Sequence, residues 1–277
     1  MNLKNLKYFI FDLDGTLLNS QKQIDPRTLQ TIINLKKQGK KFSINTGRTP
    51  FLSLQFMDQI KPDFPCSFCN GALIYDWKTK TFISKNQIGI EDAKKAFNVL
   101  IEQKATTLVY TQDKIYYKKF MDESKWIQFI QRTNDLLEPQ YRGEVKEIDL
   151  NTFKLEDHEV YKIICITDEV VGDLSVIRKE LDALKDCYPL QSNSAILDII
   201  PKNIDKGTGL QYLVDNGYVN LDETCVFGDE NNDVPMFKVA KYSTALGQAR
   251  DIIKEQVTFV TESNDNNGIG LFLEKTV

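Results

Sequence analysis

The chain has 277 residues, 42% hydrophobic and 27% charged, the proportions of an ordinary globular protein long enough for one large domain or two smaller ones. Its 39 acidic against 35 basic residues leave a net charge of -4, which excludes a broad basic surface for nucleic acid. No apolar run is long enough to span a bilayer, so no membrane partner is expected, and any anion must be held by local groups.

The opening stretch, Met1 to Lys7, carries lysines but lacks the long apolar core and small-residue cleavage site of a signal peptide. Tyr8 to Phe11 is a short, continuously apolar run that reads as a strand buried on both faces. Asp12 and Asp14 follow, and Gly15 then permits a tight turn. This places both carboxylates at the C-terminal end of a strand, where open α/β sheets form their ligand crevice. Two such charges about 4 Å apart, at an effective dielectric near 20, repel by roughly 4 kcal/mol. A cation, a shared proton or solvent must offset that cost, and a solvated acidic loop would carry the same pattern.

Asp25-Pro26 opens a helix, with Leu29, Ile32 and Ile33 as its inner face and Gly39 as its end. Lys41 to Asn45 is a second strand and leads into Thr46-Gly47-Arg48. A helix from about Pro50 to Ile60 follows, then a third strand-like segment from Cys66 to Ile74, interrupted at Asn70-Gly71. The alternation predicts a doubly wound, mostly parallel α/β sheet. Cys66 and Cys69 form a C-x-x-C with no second pair, and we read them as small buried hydrophobes. The chain has five cysteines, an odd number without framework spacing, which points to a reducing compartment and a cytoplasmic location.

From about Ile83 the pattern changes. Helical periodicity appears in Ala93, Ala96, Phe97, Leu100 and Ile101, then in Trp126, Phe129 and Ile130, then in Leu174, Ile177, Leu181 and Leu184. Short strands lie between, near Thr107-Tyr110, Ile115-Lys118 and Val160-Thr167. The expectation is a separate α+β domain over 83–189, inserted into a core formed by 1–82 and 190–277. His158, the one histidine, sits in an acidic segment and reads as a surface loop residue. With no histidine near the motifs, acid–base work falls to carboxylates.

After Pro189 the earlier style returns. Ala195 to Ile200 is expected to be a strand of the core sheet. Asp205 can cap a helix running from Lys206-Gly207 to Val214. Thr224 to Phe227 is a strand ending in Gly228-Asp229-Glu230-Asn231-Asn232-Asp233. A helix through Met236 and Phe237 and strands at Tyr242-Leu246 and Val257-Val260 complete the sheet.

Four groups thus stand at strand ends or helix starts: Asp12/Asp14, Thr46-Gly47, Lys206 and Asp229/Asp233. Thr-Gly after a strand offers a hydroxyl and backbone N–H groups to an anion. Lys206 is misplaced at a positively polarised helix start, which implies an anionic neighbour. Hard carboxylate oxygens without histidine or cysteine suit Mg²⁺. The same carboxylates would repel an anionic ligand unless one Mg²⁺ and Lys206 offset them.

Asp-Leu-Asp-Gly-Thr-Leu resembles the first motif of the haloacid dehalogenase (HAD) superfamily, most of whose members transfer phosphoryl groups. Gly-Asp-Glu-Asn-Asn-Asp resembles the last motif of its Cof-like sugar-phosphatase branch, Ile200-Pro201 with Lys206-Gly207 its third, and Asn70-Gly71-Ala72 a segment typical of it. The insertion sits where that branch carries a type IIB cap, so the resemblance spans nearly the whole chain. It implies a HAD-like Rossmannoid core with a cap that sets substrate specificity. It further implies that Asp12 is nucleophile and metal ligand, and that Asp14 is general acid/base and ligates through its backbone carbonyl. Thr46, Gly47 and Asn232 would contact phosphate, Lys206 would neutralise charge, and Asp229 would bind metal with support from Asp233. Glu230 departs from the pattern and would add negative charge near the metal. Asn203 replaces a glycine, and asparagine tolerates the left-handed turn required there.

The function implied is a Mg²⁺-dependent phosphatase for a small-molecule phosphate ester, such as a sugar phosphate, through an aspartyl phosphate. A phosphomutase and a non-catalytic phospho-ligand sensor are the alternatives. The substrate, the oligomeric state and any protein partner are not specified by the sequence.

Overall fold

The computed structural model describes residues 3–277; Met1 and Asn2, which begin the lysine-bearing opening stretch, lie outside the described residues. The chain divides into two compact units. One comprises the chain up to Gly47, Phe56–Ser84 and Asp205–Val277, and the other Arg48–Gln55 and Lys85–Ile204.

The first unit is built on a five-stranded parallel sheet in the order Phe259–Val260, Tyr242–Ala245, Thr224–Gly228, Tyr8–Phe11, Lys41–Ile44. Its strand Tyr8–Phe11 is apolar throughout because both faces of the sheet are covered. On one face Ile10, Val226 and Ala245 pack with Leu210 and Leu213 of the helix Lys206–Asp215 and with Met236 and Phe237 of Val234–Val239. On the other, Phe9 stacks on Phe42 at 5.2 Å and Phe11 lies 5.1 Å from Phe227. Phe227 in turn meets Phe272 of the helix Gly268–Glu274 edge-on. The doubly wound reading therefore holds.

Local chemistry sets the helix starts. Asp25 accepts the Arg27 N–H ahead of Pro26–Lys37. That helix buries Thr28, Ile32 and Leu35, whereas Ile33, expected inside, is exposed. Asp205 and Thr208 form a reciprocal capping box at the start of Lys206–Asp215.

The third strand-like segment folds differently from the expectation. Cys66–Phe68 and Leu73–Asp76 pair antiparallel, with only Ser67 bridging in parallel to Asn45. Left-handed φ angles at Cys69, Asn70 and Gly71 turn the chain back on itself. Cys66 and Cys69 are both fully buried, and burial pushes the Cys66 thiol up to about 11.

The second unit holds a six-stranded sheet in the order Cys187–Gln191, Ile196–Pro201, Lys162–Val170, Ala105–Tyr110, Lys114–Lys118, Glu144–Glu147. All pairings are antiparallel except the last. Helices Ile90–Glu102 and Leu174–Asp182 cover one face, packing on Ala105, Val109, Ile163, Cys165, Leu197 and Ile199. The α+β insertion thus extends beyond 83–189. The strand Ile196–Pro201, expected in the parallel core sheet, instead lies antiparallel between Lys162–Val170 and Cys187–Gln191, and the chain returns to the first unit at Asp205. The physical reason is pairing context: an apolar strand carries no mark of which sheet it joins. Asn203 takes the left-handed turn expected of it, at φ 61°. His158 is only half-exposed, because its ring stacks 5.2 Å from Phe153 and 4.7 Å from Tyr116. Among the described residues no helix is long and apolar enough to cross a membrane.

Candidate active site

Three adjacent strands carry the site at their C-terminal ends. The Asp12 N–H donates to the Phe227 carbonyl at 3.0 Å, and the Asn45 N–H donates to the Phe11 carbonyl at 2.9 Å. Asp12, Thr46 and Asp229 therefore leave the sheet side by side, each from a neighbouring strand. Gly15 turns the first loop at φ +77°, and a Cβ there would collide with the Asp229 carboxylate. Glycine is required at this position for both reasons.

Lys206 is the hub. Its ammonium is fully buried and donates to Asp12 Oδ1 at 2.7 Å and to Asp233 Oδ1 at 2.6 Å. The anionic neighbour implied by its place at a helix start is thus two carboxylates. Burial alone would lower its pKa, but the charges of Asp12 and Asp233 hold it above the usual lysine range. Its backbone carbonyl accepts the Asn45 side-chain amide at 2.7 Å.

The acids outnumber this cation. Carboxylate oxygens of Asp12, Asp229 and Asp233 lie within 4.8 Å of one another. Burial pushes the Asp12 carboxyl up to about 6, Lys206 pulls against that, and Asp233 and Asp14 push further upward. Burial, then Asp233 and Asp12, hold Asp229 well above the ordinary range, against the Thr16 hydroxyl that donates to its Oδ1 at 3.0 Å. The set offers only hard oxygen donors, the preference of Mg²⁺. Mg²⁺ binds oxygens at about 2.1 Å, so opposite ligands are about 4.2 Å apart, within this spread. Asp233 already accepts Lys206 and the N–H groups of Asp229 and Glu230 at 2.9 and 3.0 Å, so it braces the loop while Asp12 and Asp229 face the centre.

Asp14 stands apart, with its half-exposed carboxylate paired to Lys22 at 2.7 Å. Thr46, which is followed by Gly47, is linked to Asn232 through Asn70. The Asn70 N–H donates to the Thr46 carbonyl at 3.1 Å, and the Asn232 amide donates to Asn70 Oδ1 at 3.2 Å. Glu230 is matched by Arg250 at 3.3 Å, so it adds less charge to the centre than its position suggests. The Arg48 guanidinium is buried and donates to the Leu52 carbonyl at 2.9 Å. Sequence reasoning missed Thr16, Lys22 and Asn45 as supports. Thr16 lay inside the first motif, and the other two carried no signal.

The family model for haloacid dehalogenase-like hydrolases matches residues 9–273. A Mycoplasma pneumoniae protein with a provisional phosphatase name is 32% identical over 271 residues, covering 96% of this chain and 95% of that one. The 5-amino-6-(5-phospho-D-ribitylamino)uracil phosphatase YwtE of Bacillus subtilis is 28% identical, with 98% of each chain covered. Among solved structures, TM0651 of Thermotoga maritima superposes with a TM-score of 0.76 at 26% identity, covering 98% of this chain and 97% of that one. This chain belongs to the haloacid dehalogenase-like hydrolase family.

Proposed function

We propose that the chain is a Mg²⁺-dependent phosphatase of small phosphorylated metabolites, sugar phosphates or related organic phosphates, acting through a phosphorylated Asp12. The observation that carries this reading is the excess of buried carboxylate around one buried lysine at the C-terminal edge of a parallel sheet. Such an arrangement suits a cation and a bound phosphate better than it suits the empty fold. A relative matching over nearly the full chain is named for a small phosphate monoester, which supports the substrate class.

In this reading Asp12, Asp229 and the Asp14 backbone carbonyl would hold Mg²⁺, with Asp233 supporting. When bound, Mg²⁺ offsets the carboxylate charge and orients the phosphoryl group. Lys206 holds Asp12 Oδ1, so the other carboxylate oxygen attacks phosphorus as the ester P–O bond breaks. Asp14 gives its proton to the departing alkoxide. It then takes a proton from water, whose oxygen attacks phosphorus and releases phosphate, regenerating Asp12. Thr46, Gly47 and Asn232 bind the phosphate oxygens.

The test is phosphate release from a panel that includes sugar phosphates and a ribitylamino phosphate ester, without any acceptor. Chelation should silence release, Mg²⁺ should restore it, and Asp12→Asn should abolish it. Full turnover after exhaustive chelation, or by pure Asp12→Asn, would overturn the reading.

A further inference from the structure

Gln248 lies in the loop after the strand Tyr242–Ala245 and is outside every motif read from the sequence. Its side chain joins three loops of the same unit. Nε2 donates to the Gly15 carbonyl at 2.5 Å and reaches Asp229 Oδ2 at 3.4 Å. Oε1 accepts the Asn264 N–H at 3.1 Å, and the Asn264 side chain donates to the Leu18 carbonyl at 2.9 Å. The Asp229 carboxylate is thus bonded on Oδ1 by Thr16 and approached on Oδ2 by Gln248. We infer that Gln248 is a positioning residue that holds Asp229 and the Gly15 turn in register for the divalent cation, an inference that rests on the function proposed above.

The chemistry of the amide matters. Asp12 and Asp233 repel Asp229, so an Asp229 carboxylate without a donor on Oδ2 is driven away from the centre. A lysine at 248 would hold it but would compete with the cation. A glutamate would add a fourth acid. A neutral donor restrains the carboxylate while leaving its charge for the metal. The same amide pins the carbonyl of Gly15, the residue after Asp14. Outer hydrogen bonds of this kind change metal affinity by about 10–100-fold when removed.

The test uses the full chain, metal-depleted, with Mn²⁺ as probe, free Mn²⁺ followed by its paramagnetic signal and displaced by Mg²⁺. Gln248→Met keeps the length of the side chain and removes both donor and acceptor. It should bind Mn²⁺ and Mg²⁺ about 10–100-fold more weakly. Its kcat at saturating Mg²⁺ should stay close to that of the parent, with an unchanged unfolding temperature. Asn264→Ala removes the tie to Leu18 but keeps the backbone N–H to Gln248, and it should bind as the parent does. Parent-like affinity in Gln248→Met, or an equal loss in Asn264→Ala, would overturn the inference. Absence of Mn²⁺ and Mg²⁺ binding by the parent chain would instead strike the proposed function, so the two failures are distinguishable.

Discussion

One buried charge cluster in each unit makes an instructive contrast. In the parallel-sheet unit, Asp12, Asp229 and Asp233 crowd around Lys206, three acids to one base. In the antiparallel-sheet unit, Lys162 and Asp198 form a buried pair at 3.5 Å. The Ser192 hydroxyl donates to Asp198 at 2.6 Å, and the lysine lies 4.7 Å from the Tyr110 ring. A matched pair serves the fold, because each charge answers the other. An unmatched cluster is held by the fold at a cost, and it implies chemistry that uses the excess. The same physics predicts opposite responses when one charge is removed from each unit.

The largest effect is expected at Asp14, where charge removal should alter rate and leave stability alone. Asp14→Asn keeps the backbone carbonyl and removes the titratable group, and should slow turnover by roughly 10²–10⁴. Its carboxylate is half-exposed and paired with Lys22 near the surface, so the unfolding midpoint should hardly move. With an aryl phosphate, whose leaving anion needs no proton, rapid quenching should show a burst of leaving group and then slow release of phosphate. Equal impairment of both half-reactions, with no burst, would move the acid–base role elsewhere.

In the antiparallel unit, Lys162→Met leaves the Asp198 carboxylate buried opposite an apolar side chain. It should cost about 3–5 kcal/mol of stability, measured by denaturant unfolding. Changing Asp198 to Leu in the same chain should recover most of the loss. A neutral single variant would break the comparison, because the pair would then not be balancing buried charge.

The smallest effect has the opposite sign. Burial, opposed by Lys206, raises Asp12 from an ordinary 3.8 to about 6 in the folded chain. The folded state therefore binds that proton more tightly than the unfolded state. The metal-free chain should lose stability as pH rises from about 4 to about 6, by on the order of 3 kcal/mol. Metal-free Asp12→Asn should lack this slope and be the more stable protein at pH 7.5. Saturating Mg²⁺ should stabilise the parent and erase its disadvantage. A destabilised metal-free Asp12→Asn would show that the cluster is balanced after all.

Much of this was legible in the chain itself. Continuous apolar strands ending in Asp12, Thr46 and Asp229 can be read because both the strand and its stop are local signals. The capped helix at Lys206 is legible for the same reason. Ala195 to Ile200 is legible as a strand but reads as part of the wrong sheet, since an apolar run records burial and leaves the partner unspecified. The hairpin at Asn70-Gly71 was visible only as an interruption, because positive φ at Cys69 is not announced by its side chain. The supports Lys22 and Gln248 were invisible, as each acts across a fold that must form first.

Lys206 is anchored at both ends, by Asn45 on its carbonyl and by two carboxylates on its ammonium. A free lysine loses about 1.5–2 kcal/mol of rotamer entropy when it is fixed. Here that loss falls on folding, and ligand capture does not bear it again. The lysine also acts as an internal spacer, keeping Asp12 and Asp233 apart. The walls of the cluster that Lys206 joins are therefore fixed by folding itself.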